Sequence, residues 1–246
     1  MKNSLIKARN SVNGFFYKVF LKRLFFLRDP EKTHDDMLRA GKFLGGGTVG
    51  RKLVSGLFNY RNSRLEQKVC GIHFKNPIGL AAGFDKDGVL MDILPEVGFG
   101  FEEVGSVTGE PCAGNPKPRL WRLKKSKGLI VNFGLKSLGC EKVAERFKRR
   151  FERGGGVSPF KMPVGISVAK TNCAETVGVE AGIKDYVKGF RTLQPYADYM
   201  TINISCPNAF GGQPFNNAED FDKLMSAITA CGIEKPVFIK MPPDLK

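Results

Sequence analysis

Residues 201–208 carry the side chains of this sequence that are best suited to chemistry. They read Thr-Ile-Asn-Ile-Ser-Cys-Pro-Asn, so the thiol of Cys206 lies between the side-chain amides of Asn203 and Asn208. Amides can hold a planar ligand through donors and acceptors, and a cysteine can act as a base or a nucleophile. The apolar start of the octet predicts a buried strand that delivers these groups at its carboxyl end. Taken alone, the octet also fits a structural strand followed by an Asn-Pro turn.

Other segments place small, hydroxyl-bearing or cationic residues at the ends of predicted strands. Residues 76–88 read Asn-Pro-Ile-Gly-Leu-Ala-Ala-Gly-Phe-Asp-Lys-Asp-Gly, where small side chains let a flat ring approach the backbone. Ser106 occurs in Glu-Val-Gly-Ser-Val-Thr-Gly, residues 114–123 read Gly-Asn-Pro-Lys-Pro-Arg-Leu-Trp-Arg-Leu, and Lys240 ends Pro-Val-Phe-Ile-Lys. Polar groups at several strand ends favour a parallel α/β barrel over a doubly wound sheet with one crevice. No Gly-x-Gly-x-x-Gly follows the first predicted strand, which argues against a dinucleotide-binding fold.

Strand-like and helical patterns alternate after residue 70, which predicts a parallel sheet with right-handed crossovers. We expect strands near 78–82, 101–107, 163–168, 199–204 and 236–241, and helices near 88–97, 137–151, 177–193 and 218–231. A (β/α)8 TIM barrel has eight strands. The predicted fold is therefore α/β, an incomplete TIM barrel with about five of the eight strands, over residues 66–246.

Residues 1–65 differ from the rest of the chain, because their pattern is helical, cationic and amphipathic. Apolar residues recur there at three- and four-residue spacing, with basic residues between them. The apolar positions are Phe15, Phe16, Val19, Phe20, Leu24 and Leu27, and the basic ones are Lys18, Lys22 and Arg23. Asp29 and Pro30 predict the cap and first residue of a second helix, and a short third helical piece follows over 49–58. A helix that simply packs on the barrel has the same periodicity.

The composition restricts the classes of partner. The net charge of +15 favours anionic ligands or an anionic membrane surface. No nucleic-acid-binding motif accompanies it, so nucleic acid is not an expected partner. The six cysteines are widely spaced and the two histidines lack metal-ligand spacing, so we expect reduced thiols and no metal. No apolar run approaches the roughly 20 residues of a membrane-spanning helix.

The segments Gly-Leu-Ala-Ala-Gly-Phe-Asp-Lys, Gly-Asn-Pro-Lys-Pro-Arg and Asn-Ile-Ser-Cys-Pro-Asn, in this order and spacing, resemble dihydroorotate dehydrogenase, the flavin enzyme of pyrimidine synthesis. The resemblance runs through most of residues 28–246. The helical N-terminus, with Leu-Arg-Asp-Pro-Glu and then His34, looks like the quinone-linked class 2, in which two N-terminal helices form an apolar mouth for quinone. The resemblance implies an oxidoreductase that oxidises (S)-dihydroorotate to orotate through FMN and passes the electrons to a membrane quinone.

The resemblance also implies a role for each matching residue. FMN contacts are expected from Ala82, Gly83, Lys86, Ser106, Ser167, Asn203 and Lys240. Substrate contacts are expected from Lys86, Asn132, Phe133, Gly134, Leu135, Asn203 and Asn208. Cys206 is expected to remove the C5 proton while hydride passes from C6 to the flavin, and Arg122 to lie at the quinone mouth. Class 2 membership implies peripheral association with the cytoplasmic face of the cell membrane, and a monomer is expected.

Several features depart from the class 2 pattern. Cys206 stands where class 2 enzymes usually carry a serine base, and it looks like the soluble class 1. A thiol is nonetheless a competent base, because its ordinary pKa of about 8.5 lies nearer neutrality than that of an alcohol. Val131 stands where the family's first asparagine is expected, with Asn132 one position later, and Ser167 replaces an asparagine near the flavin. The family's last three strands have no counterpart before Lys246, so we expect a C-terminally truncated copy of a longer enzyme.

Two alternatives remain open from the sequence. One is a soluble class 1 dihydroorotate dehydrogenase that uses fumarate or NAD. The amphipathic N-terminus argues against it, because class 1 chains lack such a section. The other is an inactive fragment that only binds membrane surfaces, which the missing phosphate-binding loops favour.

Overall fold

The N-terminal section consists of helices. The computed structural model describes residues 2–153 and 159–243. The helices of the section are α1 (Lys2–Phe16), a π-helical turn (Tyr17–Leu21), α2 (Lys22–Leu27), α3 (Pro30–Gly46) and α4 (Thr48–Phe58). Within the two described ranges, no helix is long and apolar enough to cross a membrane.

Helix α3 begins where the sequence predicts. The Asp29 carboxylate accepts a hydrogen bond from the backbone N–H of Lys32 at 2.9 Å, and Pro30 occupies the first turn. The cap satisfies an N–H group that the first turn of a helix leaves without a partner, and proline suits this position because it has no N–H to satisfy. This start fixes the positions of Glu31 and His34, both of which face the rest of the protein.

Five parallel strands form the central sheet, as predicted. In chain order the strands are β1 (Gln67–Val69), β2 (Ile72–Phe74), β3 (Gly79–Leu80), β4 (Phe101–Thr108), β5 (Leu120–Leu123), β6 (Gly128–Val131), β7 (Val164–Ala169), β8 (Tyr199–Asn203) and β9 (Val237–Lys240). The sheet has the order β3-β4-β7-β8-β9, with every neighbouring pair parallel. Over the described residues the sheet does not close into a barrel, and β3 and β9 are its edges. The carboxyl ends of all five strands therefore lie at one end of the sheet.

Two antiparallel hairpins, β1–β2 and β5–β6, are additions to the predicted strands. The residues of β1 and β6 are all exposed, so these strands carry no buried apolar run that a sequence pattern would reveal. Three residues of the expected substrate segment 129–135 consequently belong to β6 rather than to a loop.

The helix predicted over 88–97 is wrong for most of its length, because only α5 (Leu94–Val97) is helical. Gly88 adopts a φ of +66°, which a right-handed helix cannot contain. The Asp85 carboxylate accepts hydrogen bonds from the N–H groups of Val89 and Leu90, at 2.9 and 2.6 Å, and holds this stretch as a turn.

The main core lies between the sheet and three helices. These are α6 (Cys140–Arg153), α7 (Val179–Leu193) and α8 (Ala218–Thr229). Every residue of β7 and β8 is buried, and Phe147, Phe190 and Leu224 are fully buried in the same apolar cluster. Burial of a large apolar side chain stabilises a fold by about 1.5–3 kcal/mol. This cluster therefore fixes the positions of the strands, and with them the residues at the strand ends.

Candidate active site

The strand ends surround a cavity of about 270 Å³ that contains most of the predicted site residues. The predicted residues that line it are Ala82, Gly83, Lys86, Ser106, Phe133, Gly134, Leu135, Asn203, Cys206, Asn208 and Lys240. They come from segments that follow β3, β6 and β8 and from the ends of β4, β8 and β9. Ser167, Asn132 and Arg122 are the predicted residues that do not line this cavity.

Asn203 is held at the cavity wall by a chain of side-chain hydrogen bonds. Its Nδ2 donates to Ser106 Oγ at 2.8 Å, and Ser106 Oγ lies 2.8 Å from Ser167 Oγ. The Asn203 Oδ1 accepts from the backbone N–H and the hydroxyl of Ser205, at 3.0 and 2.8 Å. Because each polar atom of the amide has a partner, its orientation in the site is fixed. Ser167 therefore supports the wall from behind Ser106.

Cys206 is partly buried at the same wall. Burial raises the pKa of its thiol, whereas the backbone N–H of Asn208 and the positive charge of Lys240 lower it. Burial is the largest of these effects, because an apolar environment disfavours the thiolate. The thiol is thus protonated at neutral pH, with a cation and an amide N–H placed to stabilise the thiolate once it forms.

Lys86 and Lys136 bring two cations to the cavity. The Lys86 Nζ lies 3.3 Å from the centre of the Phe133 ring, which is a cation–π contact. Burial lowers the pKa of Lys86 to about 8, and the neighbouring charges of Lys136 and Arg119 add to the shift. Lys136 was not predicted as a site residue, although it directly follows the segment 129–135. No pattern in the sequence distinguishes it from the many other lysines.

A buried ion pair joins α3 to the site. The Glu31 carboxylate accepts hydrogen bonds from Nε and Nη2 of Arg119, at 3.2 and 2.8 Å, and both side chains are buried. Glu31 also lies 3.2 Å from Lys117 and 4.0 Å from Lys136. The hydrogen bond from Arg119 is the main cause that lowers the pKa of Glu31 to about 2. The Arg119 guanidinium in turn lies 5.1 Å from the centre of the Phe133 ring.

Asn132 belongs to a network of amides beside the cavity. Its Oδ1 accepts from Asn115 Nδ2 at 2.8 Å, while Val131, the preceding residue, lines the cavity. Asn115 Oδ1 accepts from Asn172 Nδ2 at 3.1 Å, and the Asn208 amide donates to the Val131 carbonyl at 3.0 Å. The network holds the loop after β6 against the loop after β8. In the sequence, Asn115 is marked only as part of the motif at residues 114–123, and no pattern marks Asn172.

A second cavity, of about 510 Å³, lies between α3 and the strand ends. Residues of α3, including His34 and Leu38, face Phe84 across it. His34 Nε2 hydrogen-bonds the Phe84 carbonyl at 2.8 Å. Lys86, Phe133 and Lys136 line both cavities and separate them.

Arg122 lies apart from both cavities. Its Nη1 donates to the Arg28 carbonyl at 2.8 Å, and its guanidinium lies 5.0 Å from the centre of the Phe26 ring. It therefore links the β5–β6 hairpin to the end of the N-terminal helices.

The family model for dihydroorotate dehydrogenase matches residues 64–246, which include all of these strand ends. The chain belongs to the dihydroorotate dehydrogenase family. Several curated relatives carry the name dihydroorotate dehydrogenase (quinone). The protein of Chloroflexus aurantiacus is 35% identical over 248 residues, with 96% of this chain and 66% of the relative covered. The protein of Synechococcus sp. (strain JA-3-3Ab) is 37% identical over 235 residues, with 93% and 60% covered.

Solved structures of the family share the fold. DHODH from Eimeria tenella in complex with ferulenol superposes with a TM-score of 0.73 at 26% identity, covering 89% of this chain and 61% of that chain. The ligand-free form of the same enzyme gives a TM-score of 0.71 at 27% identity. The chain thus spans about two thirds or less of the length of the relatives that it matches. The family assignment and the five-stranded barrel arrangement predicted from the sequence are confirmed.

Proposed function

We propose that this protein is a dihydroorotate dehydrogenase of the quinone-linked class, which oxidises (S)-dihydroorotate to orotate in pyrimidine biosynthesis. The observation that carries the proposal is the meeting of Cys206, Asn203, Asn208 and Lys86 in one cavity at the carboxyl ends of parallel strands. This set combines a base, two amides for a planar ring and a cation for a carboxylate. The names of the curated relatives support the same activity.

The cavity fits a flat cofactor ring, and we assign FMN to it. Gly83 has a φ of +116°, and no atom lies within 4 Å of the place that a side chain would take there. Ala82 beside it is also small, so this wall leaves room for a ring near the backbone. Lys240 brings a positive charge to the same cavity, which suits a ring that becomes anionic on reduction. When bound, FMN supplies the hydride acceptor of the reaction.

The side chains around Cys206 account for the remaining chemistry. Lys86 and Lys136 bind the substrate carboxylate, and the amides of Asn203 and Asn208 hydrogen-bond the ring amides. After the Cys206 thiol has released its own proton to solvent, the thiolate takes the proton from C5 of dihydroorotate, C6 gives up a hydride to the acceptor that FMN would supply, and the C5–C6 double bond of orotate forms. Lys240 and the Asn208 N–H stabilise the thiolate before the transfer.

The N-terminal helices support the quinone-linked form of the reaction. The second cavity opens between α3 and Phe84 and adjoins the first at Phe133, so a quinone ring there lies next to the flavin site. Large apolar side chains are exposed along α1, the π-helical turn and α2, namely Phe15, Phe16, Phe20, Leu24 and Leu27. Such a stripe, with basic residues beside it, suits the interface of an anionic membrane. We infer a peripheral monomer at the cytoplasmic face of the cell membrane, with Arg122 near the quinone entrance.

The test is reduction of protein-bound FMN by dihydroorotate in Cys206→Ala. Loss of a positioned base should slow reduction by about 10²-fold or more and leave flavin binding unchanged. Cys206→Ser should retain some activity with a higher pH optimum, because an alcohol loses its proton less readily. Cys231→Ala, which removes a partly buried thiol outside the cavity, is the matched control and should reduce FMN at the wild-type rate. Reduction at the wild-type rate in Cys206→Ala would mean that another group takes the proton.

The electron acceptor is tested separately. Reoxidation of the reduced protein by a soluble quinone analogue should be much faster than by fumarate or NAD. The opposite order would assign the protein to the soluble class.

A further inference from the structure

A third cavity lies between α3 and α6 and is distinct from the site of Cys206. Its volume is about 590 Å³, and none of its lining residues lines the 270 Å³ cavity. Six cations and two carboxylates line it. The cations are Lys42, Lys142, Arg146, Arg149, Arg150 and Arg153, and the carboxylates are Asp92 and Glu145. We refer to this cavity as the basic groove.

The cations of α6 that line the basic groove occupy one face of that helix. Lys142, Arg146 and Arg150 are spaced by four residues, so their side chains lie one above the other. The neighbouring face, with Val143 and Phe147, is buried in the core. Like charges at this spacing destabilise a helix slightly, and an anion bound along the stripe would relieve that repulsion.

The carboxylates of the groove neutralise only part of this charge. Asp92 accepts two hydrogen bonds from Arg150, at 3.0 and 2.5 Å, and Glu145 pairs with Arg149. Among the described residues, no carboxylate oxygen lies within 4 Å of the charged groups of Lys42, Lys142 or Arg146. Arg146 donates only to the Asp87 carbonyl there, at 2.6 Å. Lys42 and Lys142 thus face one cavity without a carboxylate within 4 Å among the described residues, and Arg146 has only the more distant charge of Asp87.

The position of the basic groove beside an exposed apolar edge identifies the anion. Lys42 and Gly46 form the α3 side of the basic groove. Large apolar residues near them, at the end of α3 and in α4, are strongly exposed. Phe43 is 83% exposed and Val49 is 82% exposed, and Leu53 continues the exposed face one turn along α4. Apolar side chains that enter a membrane interface bring neighbouring cations to the level of the phosphates. A free phosphate ion makes no use of these apolar side chains, so their position favours a phospholipid over free phosphate.

We propose that the basic groove binds the phosphate headgroup of an anionic phospholipid, with Lys42, Lys142 and Arg146 as its ligands. Ammonium and guanidinium groups both bind phosphate through charge-assisted hydrogen bonds. The proposal rests on the membrane association proposed above and adds a defined lipid site to it. The bound lipid fixes the side of the molecule that meets the membrane.

The experiment measures sedimentation with vesicles of phosphatidylcholine containing phosphatidylglycerol, and with vesicles of phosphatidylcholine alone. The variant Lys42→Gln/Lys142→Gln/Arg146→Gln should lose on the order of 100-fold in partitioning to the anionic vesicles. The control Lys148→Gln/Lys184→Gln/Arg191→Gln removes the same charge from exposed positions outside the groove and should change partitioning less than about threefold. The double variant Lys42→Gln/Lys142→Gln keeps the Arg146 contact to Asp87 and should show an intermediate loss. Circular dichroism verifies that each variant is folded.

The outcomes separate the headgroup site from its alternatives. Equal losses in the groove variant and the control would overturn the site and leave general membrane attraction standing. No binding of wild type to either vesicle would overturn both the site and the membrane association. The lipid-headgroup proposal would also be overturned if the groove variant lost binding of inorganic phosphate or of a single-stranded oligonucleotide while wild type showed no preference for anionic vesicles. FMN reduction by dihydroorotate, a step assigned to the 270 Å³ cavity, is measured separately in wild type, so the proposed activity is judged independently of the lipid site.

Discussion

Burial shifts the pKa values of Cys206 and Lys86 away from the charged forms that their proposed roles require. The pKa of the thiol is raised and that of the ammonium is lowered to about 8, in both cases chiefly by burial. In the absence of substrate, few protein molecules therefore carry the Cys206 thiolate and the Lys86 ammonium at the same time. An anionic substrate reverses the shift at Lys86, because a carboxylate beside it favours the ammonium.

Lys136 controls the charge of this site, and its replacement tests that role. In Lys136→Met, the alkaline limb of kcat/KM for dihydroorotate should move above pH 8, because one cause of the lowered Lys86 pKa is removed. Affinity for orotate should fall by about tenfold or more through loss of a charge-assisted contact. Lys142→Met is the control, since Lys142 lines the second cavity but not the first. Unchanged orotate affinity in Lys136→Met would remove Lys136 from the substrate site.

Glu102 is a buried carboxyl group on β4 whose effect on stability depends on pH. Neither of its carboxyl oxygens has a donor within hydrogen-bond distance among the described residues, although its side chain interacts with that of Asp85. Burial, and then the charge of Asp85, raise its pKa well above the ordinary value of 4.5. The unfolded chain releases this proton near pH 4.5, whereas the folded protein keeps it to higher pH. Stability is therefore lost as pH rises above 4.5.

Glu102→Leu should stabilise the protein, and more so at high pH. At pH 5 the gain in the free energy of unfolding should be about 1–3 kcal/mol, the cost of an unpaired buried polar group. The gain should be larger at pH 8, because the leucine variant no longer loses stability through deprotonation of the unfolded state. Urea unfolding of both proteins at several pH values measures the difference. If the gain in the free energy of unfolding does not change with pH, the pKa of Glu102 is not raised.

At the scale of elements, α3 is attached to the strand ends by one buried ion pair. The Glu31–Arg119 contact joins residues 88 positions apart. Arg119 also donates to the carbonyls of Ala113 and Asn115, at 2.8 and 2.9 Å. The same guanidinium therefore holds the loop before β5 and the first turn of α3, which places His34 opposite Phe84.

Glu31→Gln should destabilise the protein by about 3–5 kcal/mol, because it leaves the buried Arg119 charge without its carboxylate. In wild type this contribution is complete above pH 4.5 and is lost as pH falls toward 2, since the pKa of Glu31 is lowered. Thermal unfolding measures the change, and limited proteolysis of the N-terminal helices locates it. Glu145→Gln breaks the exposed pair with Arg149 and should cost less than about 1 kcal/mol. Equal costs for the two variants would mean that the buried pair does not dock α3.

At the scale of the whole molecule, the net charge of +15 should give the proposed membrane association an electrostatic component. Raising the salt concentration from about 0.1 to about 0.5 M shortens the screening length from roughly 10 to 4 Å. Partitioning to anionic vesicles should then fall by about tenfold or more. Reduction of FMN by dihydroorotate should change less, because Lys86 is partly buried and close contacts between charges are screened less than long-range attraction to a surface. Sedimentation and stopped-flow absorbance measure the two effects. If vesicle binding does not respond to salt, the binding would be due to the exposed apolar side chains of α1, the π-helical turn and α2 alone.

The sequence by itself determined the parallel strands, the start of α3 and most of the cavity residues. Apolar runs mark β4, β7 and β8 because these strands are buried on both faces, and the side chains that follow them meet at one sheet edge. The cap at Asp29 and Pro30 is likewise a local signal, since both its partners lie within one helical turn.

Only the tertiary structure decided which of the many charges act together. Lys136 and the cations Lys42, Lys142 and Arg146 of the basic groove look like ordinary surface residues in the sequence, and Arg119 is marked there only as part of a motif, without its partner. Their roles depend on neighbours that are distant along the chain, such as Glu31 for Arg119 and α3 for α6. The same holds for the shifted pKa values of Cys206 and Lys86 and for the exposed hairpins. A contact between distant residues leaves no periodic pattern in the sequence, because it is set by the packing of whole elements.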